Sequence, residues 1–142
     1  MILVDSNILI YSSNRASPQH ERARKWLDAK LSGPAKVGIP WVSLMAFLRV
    51  VTNPRILERP IAMPAAWGQV TDWLACTIVW TPEPTDSHSA TFGKLINSSG
   101  VTANLVTDAY LAALAIDHGL TLCSADGDFA RFRGLRWHNP LV

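Results

Sequence analysis

The stretch LTLCSADGDF, residues 120–129, runs from an apolar segment into a polar, acid-rich end. Preceded by Gly119 and followed by Ser-Ala-Asp-Gly-Asp, it reads as a buried strand whose carboxyl end meets solvent. The chain opens on the same arrangement. In MILVDSN, residues 1–7, four apolar residues lead directly into Asp5, Ser6 and Asn7, and the DSN segment reads as a polar loop. KVGI (36–39), IVW (78–80) and LRWH (135–138) have the same short, apolar or half-apolar character and complete a set of five strands.

Helical patterns separate these strands. Ser17-Pro18 places a cap and a first-position proline ahead of a helix over 18–31, with Ala23, Trp26, Leu27 and Leu31 on one face. Residues 40–52 carry an apolar stripe of Leu44, Phe47, Leu48 and Val51, broken by Asn53-Pro54. Pro64 starts a third helix to about residue 75, with Trp67, Val70, Trp73 and Leu74 at helical spacing. Residues 86–97 read as a fourth, ended by Ser98-Ser99-Gly100, and the alanine-rich 106–118 as a fifth, stopped by Gly119 at its C′ position. Strands alternating with helices at these intervals predict an α/β fold: a three-layer α/β/α sandwich on a mostly parallel sheet. A single domain over 1–142 accommodates it. In such folds ligands bind outside the carboxyl ends of the strands, which singles out Asp5 and the segment from Ser124 to Asp128.

Composition narrows the class. A hydrophobic content of 49% excludes a disordered chain. No apolar run approaches the roughly 20 residues of a membrane helix, and MILVD lacks the basic start of a signal peptide. The expectation is a cytoplasmic protein that does not engage a membrane. Cys76 and Cys123 sit in apolar surroundings and read as buried free thiols. Charge is unevenly spread: residues 1–59 hold nine Lys/Arg against four Asp/Glu, whereas 60–130 hold Lys94 alone against seven acids. A cation site beside a polyanion-binding rim is one reading of that asymmetry, and ordinary solvated faces are the other.

Each acid has a bland and a chemical reading. Asp5 alone would be a turn cap, but Asp126 and Asp128 repeat its arrangement at a second strand end. Asp108 complements the dipole at the start of its helix. That helix is apolar nearly all round (Ala109, Leu111, Ala112, Leu114, Ala115), and no Lys or Arg lies between Lys94 and Arg131 to pair with a buried carboxylate. A hard divalent cation, Mg²⁺ or Mn²⁺, answers both problems, since it takes oxygen ligands and relieves like-charge repulsion. Zinc is poorly matched: His20, His88, His118 and His138 have no ligand spacing and read as surface residues. Neither a G-x-S-x-G elbow nor a glycine-rich phosphate loop is present.

The order VDSN, a helix ending in FLRVVTNPRI, then LVTDAYLAALA, SADGDF and GLRWHNP spans Ile2 to Pro140. It resembles the PIN-domain ribonucleases, most closely the VapC-type toxins of bacterial toxin–antitoxin pairs. The resemblance implies Mg²⁺- or Mn²⁺-dependent endonucleolytic cleavage of RNA, homodimerisation and neutralisation by a VapB-like antitoxin. It matches Asp5, Asp108 and Asp126 to the family's acidic metal ligands and Asp128 to an additional catalytic acid of many members. Asn7 and Ser124 match polar residues beside the site. One position departs: the family's glutamate before a Leu-Arg pair is replaced by Phe47 in Ala46-Phe47-Leu48-Arg49. A site one carboxylate poorer, with weaker metal binding, is the expectation. Arg15, Arg49, Arg55, Arg59, Arg131 and Arg133 are candidate contacts to an RNA backbone, with Arg49 also placed to pair with an aspartate.

Two other classes fit parts of the pattern. A PIN-like module that binds RNA or a partner without cutting would accommodate Phe47. A haloacid-dehalogenase-type phosphatase also begins strand–Asp, but needs a second aspartate where this chain has Asn7.

Overall fold

The computed structural model describes residues 1–98 and 100–142. Among them five strands form one sheet: β1 (Ile2–Val4), β2 (Val37–Gly38), β3 (Val79–Trp80), β4 (Thr121–Cys123) and β5 (Arg136–His138). Their order is β3-β2-β1-β4-β5, and every pairing is parallel. The chain builds outward from β1 to β2 and β3, then returns to lay β4 and β5 on the opposite side. The topological switch point therefore lies between β1 and β4, where α/β sheets open a crevice.

Alternation along β1 divides the interior into two layers. Val4 points to a cluster built from α1 (Ser6–Ser13), α2 (His20–Leu31), α3 (Trp41–Val51) and α4 (Met63–Ala75). Leu3 points to the other side, where α5 (His88–Ile96) and α6 (Leu105–His118) pack through Leu95 and the run Leu111–Ala115. Successive strand residues face opposite sides, so a buried central strand needs apolar residues at every position. The result is the three-layer α/β/α sandwich.

The helices fall close to the sequence pattern, with one exception. The DSN segment is no loop: α1 begins at Ser6, capped by the Asp5 side chain, which accepts from the Ser6 amide. Its apolar residues, Ile8 to Tyr11, are consecutive, so the helical period is hidden. Ile8 and Leu9 are nonetheless fully buried. The helix expected over 18–31 begins at His20, because Ser17 and Pro18 form a preceding turn in which Ser17 Oγ accepts from the Gln19 amide at 3.1 Å. In the expected Ser98-Ser99-Gly100 stop, α5 ends at Ile96 and Ser99 lies outside the described residues. The pairing of thiols as buried groups is half right: Cys123 is buried, its thiol pushed up to about 12 by burial, while Cys76 is only half-buried at the end of α4.

Gly119 ends α6 at φ 67°, ψ 33°, and its amide bonds back to the carbonyls of Ala115 and Ile116. A side chain is strained in that left-handed conformation. Gly119→Ala is expected to cost about 1 kcal/mol, read as a lower denaturant midpoint with an unchanged m-value.

Candidate metal centre at the carboxyl ends of β1 and β4

The register of β1 and β4 sets Val4 opposite Cys123, so the next residues, Asp5 and Ser124, leave the sheet side by side. The Asp5 amide continues the ladder to the Cys123 carbonyl at 3.0 Å. The Ser124 hydroxyl, fully buried, donates to Asp5 Oδ2 at 2.8 Å. It accepts in turn from Asn7 Nδ2 and from the Asp126 amide, each at 3.0 Å. Asn7 closes the ring by accepting from the Ala125 amide at 3.3 Å. Asp5 Oδ1 also takes the Ser6 amide at 2.7 Å. Two strand ends and the first turn of α1 are thereby locked to one another.

The other acids arrive from two directions. Asp126 caps the short 3-10 turn Gly127–Arg131, accepting from the Asp128 amide at 2.9 Å. Asp108 stands in the first turn of α6. Carboxylate oxygens of Asp108, Asp126 and Asp128 lie within 4.8 Å of one another. Asp5 lies outside that tight triple, anchored by its hydrogen bonds, yet near enough that its charge acts on Asp108.

Electrostatics record the crowding. Burial is the main force raising the Asp5 carboxyl above the usual carboxylate range; hydrogen bonds from Ser124 and Ser6 oppose it, and the Asp126 charge adds to it. Asp108 is raised to about 6, first by desolvation and then by the charges of Asp126, Asp5 and Asp128, with only Arg131 opposing. Three clustered carboxylates with a fourth, Asp5, nearby offer hard oxygen donors and no nitrogen or sulfur, which suits a divalent cation such as Mg²⁺, Mn²⁺ or Ca²⁺. The geometry fits such an ion.

The remaining predicted residues divide. Asn7 and Ser124 are central to the network. Arg131 bonds to Asp128, while Arg133 and Arg55 are exposed. Arg15 and Arg59 line a groove of about 900 Å³ with Phe47, His20 and Trp73, and none of the four aspartates reaches it. Arg49 is exposed on α3 and makes no ion pair among the described residues. The first turn of α3 lies beside β1, where Ser43 meets the Val4 carbonyl, and Arg49 stands more than one turn further along the helix. Only His138 is a surface histidine: His20 is buried, with Nδ1 3.0 Å from the Tyr11 carbonyl, and His88 and His118 are half-buried. One contributor escaped the sequence reading. Ser43, buried on α3, donates to the Val4 carbonyl at 2.9 Å and ties that helix to β1 one residue before Asp5. Its only signal was a lone hydroxyl beside the apolar stripe.

The family model of the PIN domain matches residues 2–135. This chain belongs to the PIN-domain family. Ribonuclease VapC37 of Mycobacterium tuberculosis (strain ATCC 25618 / H37Rv) is 43% identical over 140 residues, covering 99% of this chain and 97% of the relative. Ribonuclease VapC33 of the same strain is 34% identical over 141 residues, 99% of each chain. Among solved structures, Rickettsia felis VapBC2 bound to a promoter DNA fragment superposes with a TM-score of 0.70 at 17% identity, over 98% of both chains. Mycobacterium tuberculosis VapC20, a toxin described as cleaving the sarcin–ricin loop, gives 0.68 at 21% identity, over 96% of this chain and 99% of that one. These structures share the PIN fold, and the family match sets the phosphatase reading aside.

Phe47, which stands where the resemblance puts the PIN glutamate, is fully buried and packs edge-on against Trp73 at a centroid distance of 4.8 Å. Phe47→Glu would set an unpaired carboxylate in the core, and a loss of about 3 kcal/mol or more in stability is expected from chemical denaturation. The Asp108 shift predicts a pH effect. The folded carboxyl keeps its proton to about pH 6 where the unfolded one releases it near 3.8. Its stabilising contribution is therefore present below the unfolded value and lost as pH rises through about 6. Asp108→Asn should flatten this slope and raise the metal-free melting temperature at neutral pH by about 2–5 °C, read by calorimetry across the acid range.

Proposed function

We propose that this protein is a divalent-metal-dependent endoribonuclease acting as the toxin of a toxin–antitoxin pair. The observation that carries the reading is the convergence of Asp108, Asp126 and Asp128 within 4.8 Å, beside Asp5, at the switch point of the sheet. Relatives named as ribonucleases match over nearly the whole chain, and related folds have been solved as VapBC complexes.

Asp5, Asp108 and Asp126 would hold Mg²⁺ or Mn²⁺. When bound, such an ion lowers the pKa of a coordinated water and offsets charge developing on the phosphoryl group. Ser124 and the Ser6 amide fix the Asp5 carboxylate, so its oxygens need no reorganisation. Asn7 keeps Ser124 oriented. Asp128, exposed at the mouth of the cluster, would accept a hydrogen bond from the attacking water. In-line displacement of the 3′ oxygen leaves a 5′-phosphate. Arg133, exposed beyond the 3-10 turn, offers a charge to the RNA backbone.

The partner in this reading is a VapB-like antitoxin. A homodimer is drawn from the exposed Trp41, Met45 and Trp67 on α3 and α4, where Trp41 and Trp67 stack at 6.5 Å. No helix among the described residues is long and apolar enough to cross a membrane.

Asp5→Asn and Asp108→Asn should each reduce Mn²⁺-dependent cleavage of a structured RNA by about 100-fold or more, with unchanged far-UV circular dichroism. EDTA should abolish cleavage by the parent. RNA binding with no metal-dependent cutting would identify a binding module instead. Cutting by both variants at the parent rate would refute the site.

A further inference from the structure

Arg131 closes the 3-10 turn that carries Asp128, and its guanidinium folds back onto that residue. Nε donates to the Asp128 carbonyl at 3.2 Å, and Nη2 reaches Asp128 Oδ1 at 3.5 Å. Nη1 donates to the Gly100 carbonyl at 3.4 Å. Gly100 belongs to the connection leading into α6 and has a φ of 85°. A Cβ there would stand 3.1 Å from Nη1, so the close approach suits glycine. One side chain thus touches both segments that deliver clustered carboxylates: the lead-in to Asp108, and the turn bearing Asp126 and Asp128. Among the described residues no other Lys or Arg is paired with any of the four acids; the other ion pairs are Arg24 with Asp28 and His20 with Glu21.

We propose that Arg131 is the cluster's own counter-cation, holding the crowded aspartates together without a divalent ion and weakening the binding of one. The inference rests on the metal-dependent reading of the site. Its two halves have opposite signs. Without metal, the guanidinium offsets like-charge repulsion, so its loss destabilises the fold. With metal, a fixed positive charge beside the ion repels it, so its loss tightens binding. A purely structural arginine would lose stability and metal affinity together. An arginine serving only RNA would leave both unchanged in the free protein. The Arg131 side chain is 35% exposed, so solvent screens the effect and keeps it modest.

The test compares the full chain with Arg131→Gln and Arg131→Lys, in metal-free thermal unfolding and in calorimetric Mn²⁺ titration without RNA. Arg131→Gln should melt lower at low ionic strength, with the gap shrinking in about 0.5 M KCl. The same variant should bind Mn²⁺ roughly three- to tenfold more tightly. Arg131→Lys keeps the charge and should stay near the parent in both. Unchanged or weaker Mn²⁺ binding by Arg131→Gln overturns the proposal, as does an unchanged metal-free melting temperature. A parent that binds no Mn²⁺ would refute the metal reading of the site. The salt-dependent melting difference needs no metal and still decides whether Arg131 is the counter-cation.

Discussion

The hydroxyl of Ser124 has one hydrogen to give and two lone pairs to fill, and all three are engaged: Asp5 Oδ2 accepts, while Asn7 Nδ2 and the Asp126 amide donate. A saturated buried hydroxyl has no alternative partner, so it fixes the relative position of everything it touches. What it touches is the end of β1, the first turn of α1 and the loop after β4. The carbonyl of the same residue accepts from Trp137 Nε1 at 3.0 Å, which extends the lock to β5. The site's geometry depends on this one residue more than on any acid.

Against that lock stands like-charge repulsion. Asp5 and Asp108 are both pushed above the usual carboxylate range, chiefly by desolvation. A chain selected for stability alone would not place four aspartates at one crevice. Sites of this kind are strained in the metal-free state and relieved by a cation, the common trade between stability and function. The cost stays tolerable because Asp126 and Asp128 sit toward solvent and because hydrogen bonds to the ionised form partly offset burial of Asp5.

Phe47 shows how a substitution can belong to the core rather than to the site. Its ring has no exposure and packs on Trp73 between α3 and α4. The position where the family resemblance puts an acid is here used to consolidate the α1–α4 layer, and Ser43, one turn earlier on the same helix, makes the bond to β1. The polar groove lined by Arg15, Arg59 and His20 lies on that same side of the sheet, apart from the acids.

Apolar runs and their breakers made most of the fold legible from sequence. Strand–helix alternation, Pro64 and Gly119 as punctuation, and acids following MILV and LTLC are local signals, and they sufficed for the layer architecture and for Asp5, Asp126 and Asp128 as strand-end groups. The first helix escaped because four consecutive apolar residues carry no helical period. The alternative pairing of Arg49 with an aspartate does not form among the described residues, where Arg49 stays exposed on α3. His20 was misjudged as a surface residue because burial depends on neighbours that arrive from other elements. Sequence by itself thus determined which residue types stand at which strand ends. Only the tertiary structure decided that Asp108 meets Asp126 and Asp128 and that Ser124 binds Asp5 across 119 positions, because these contacts are made by the packing of α6 and β4 against β1 and leave no periodicity in the chain.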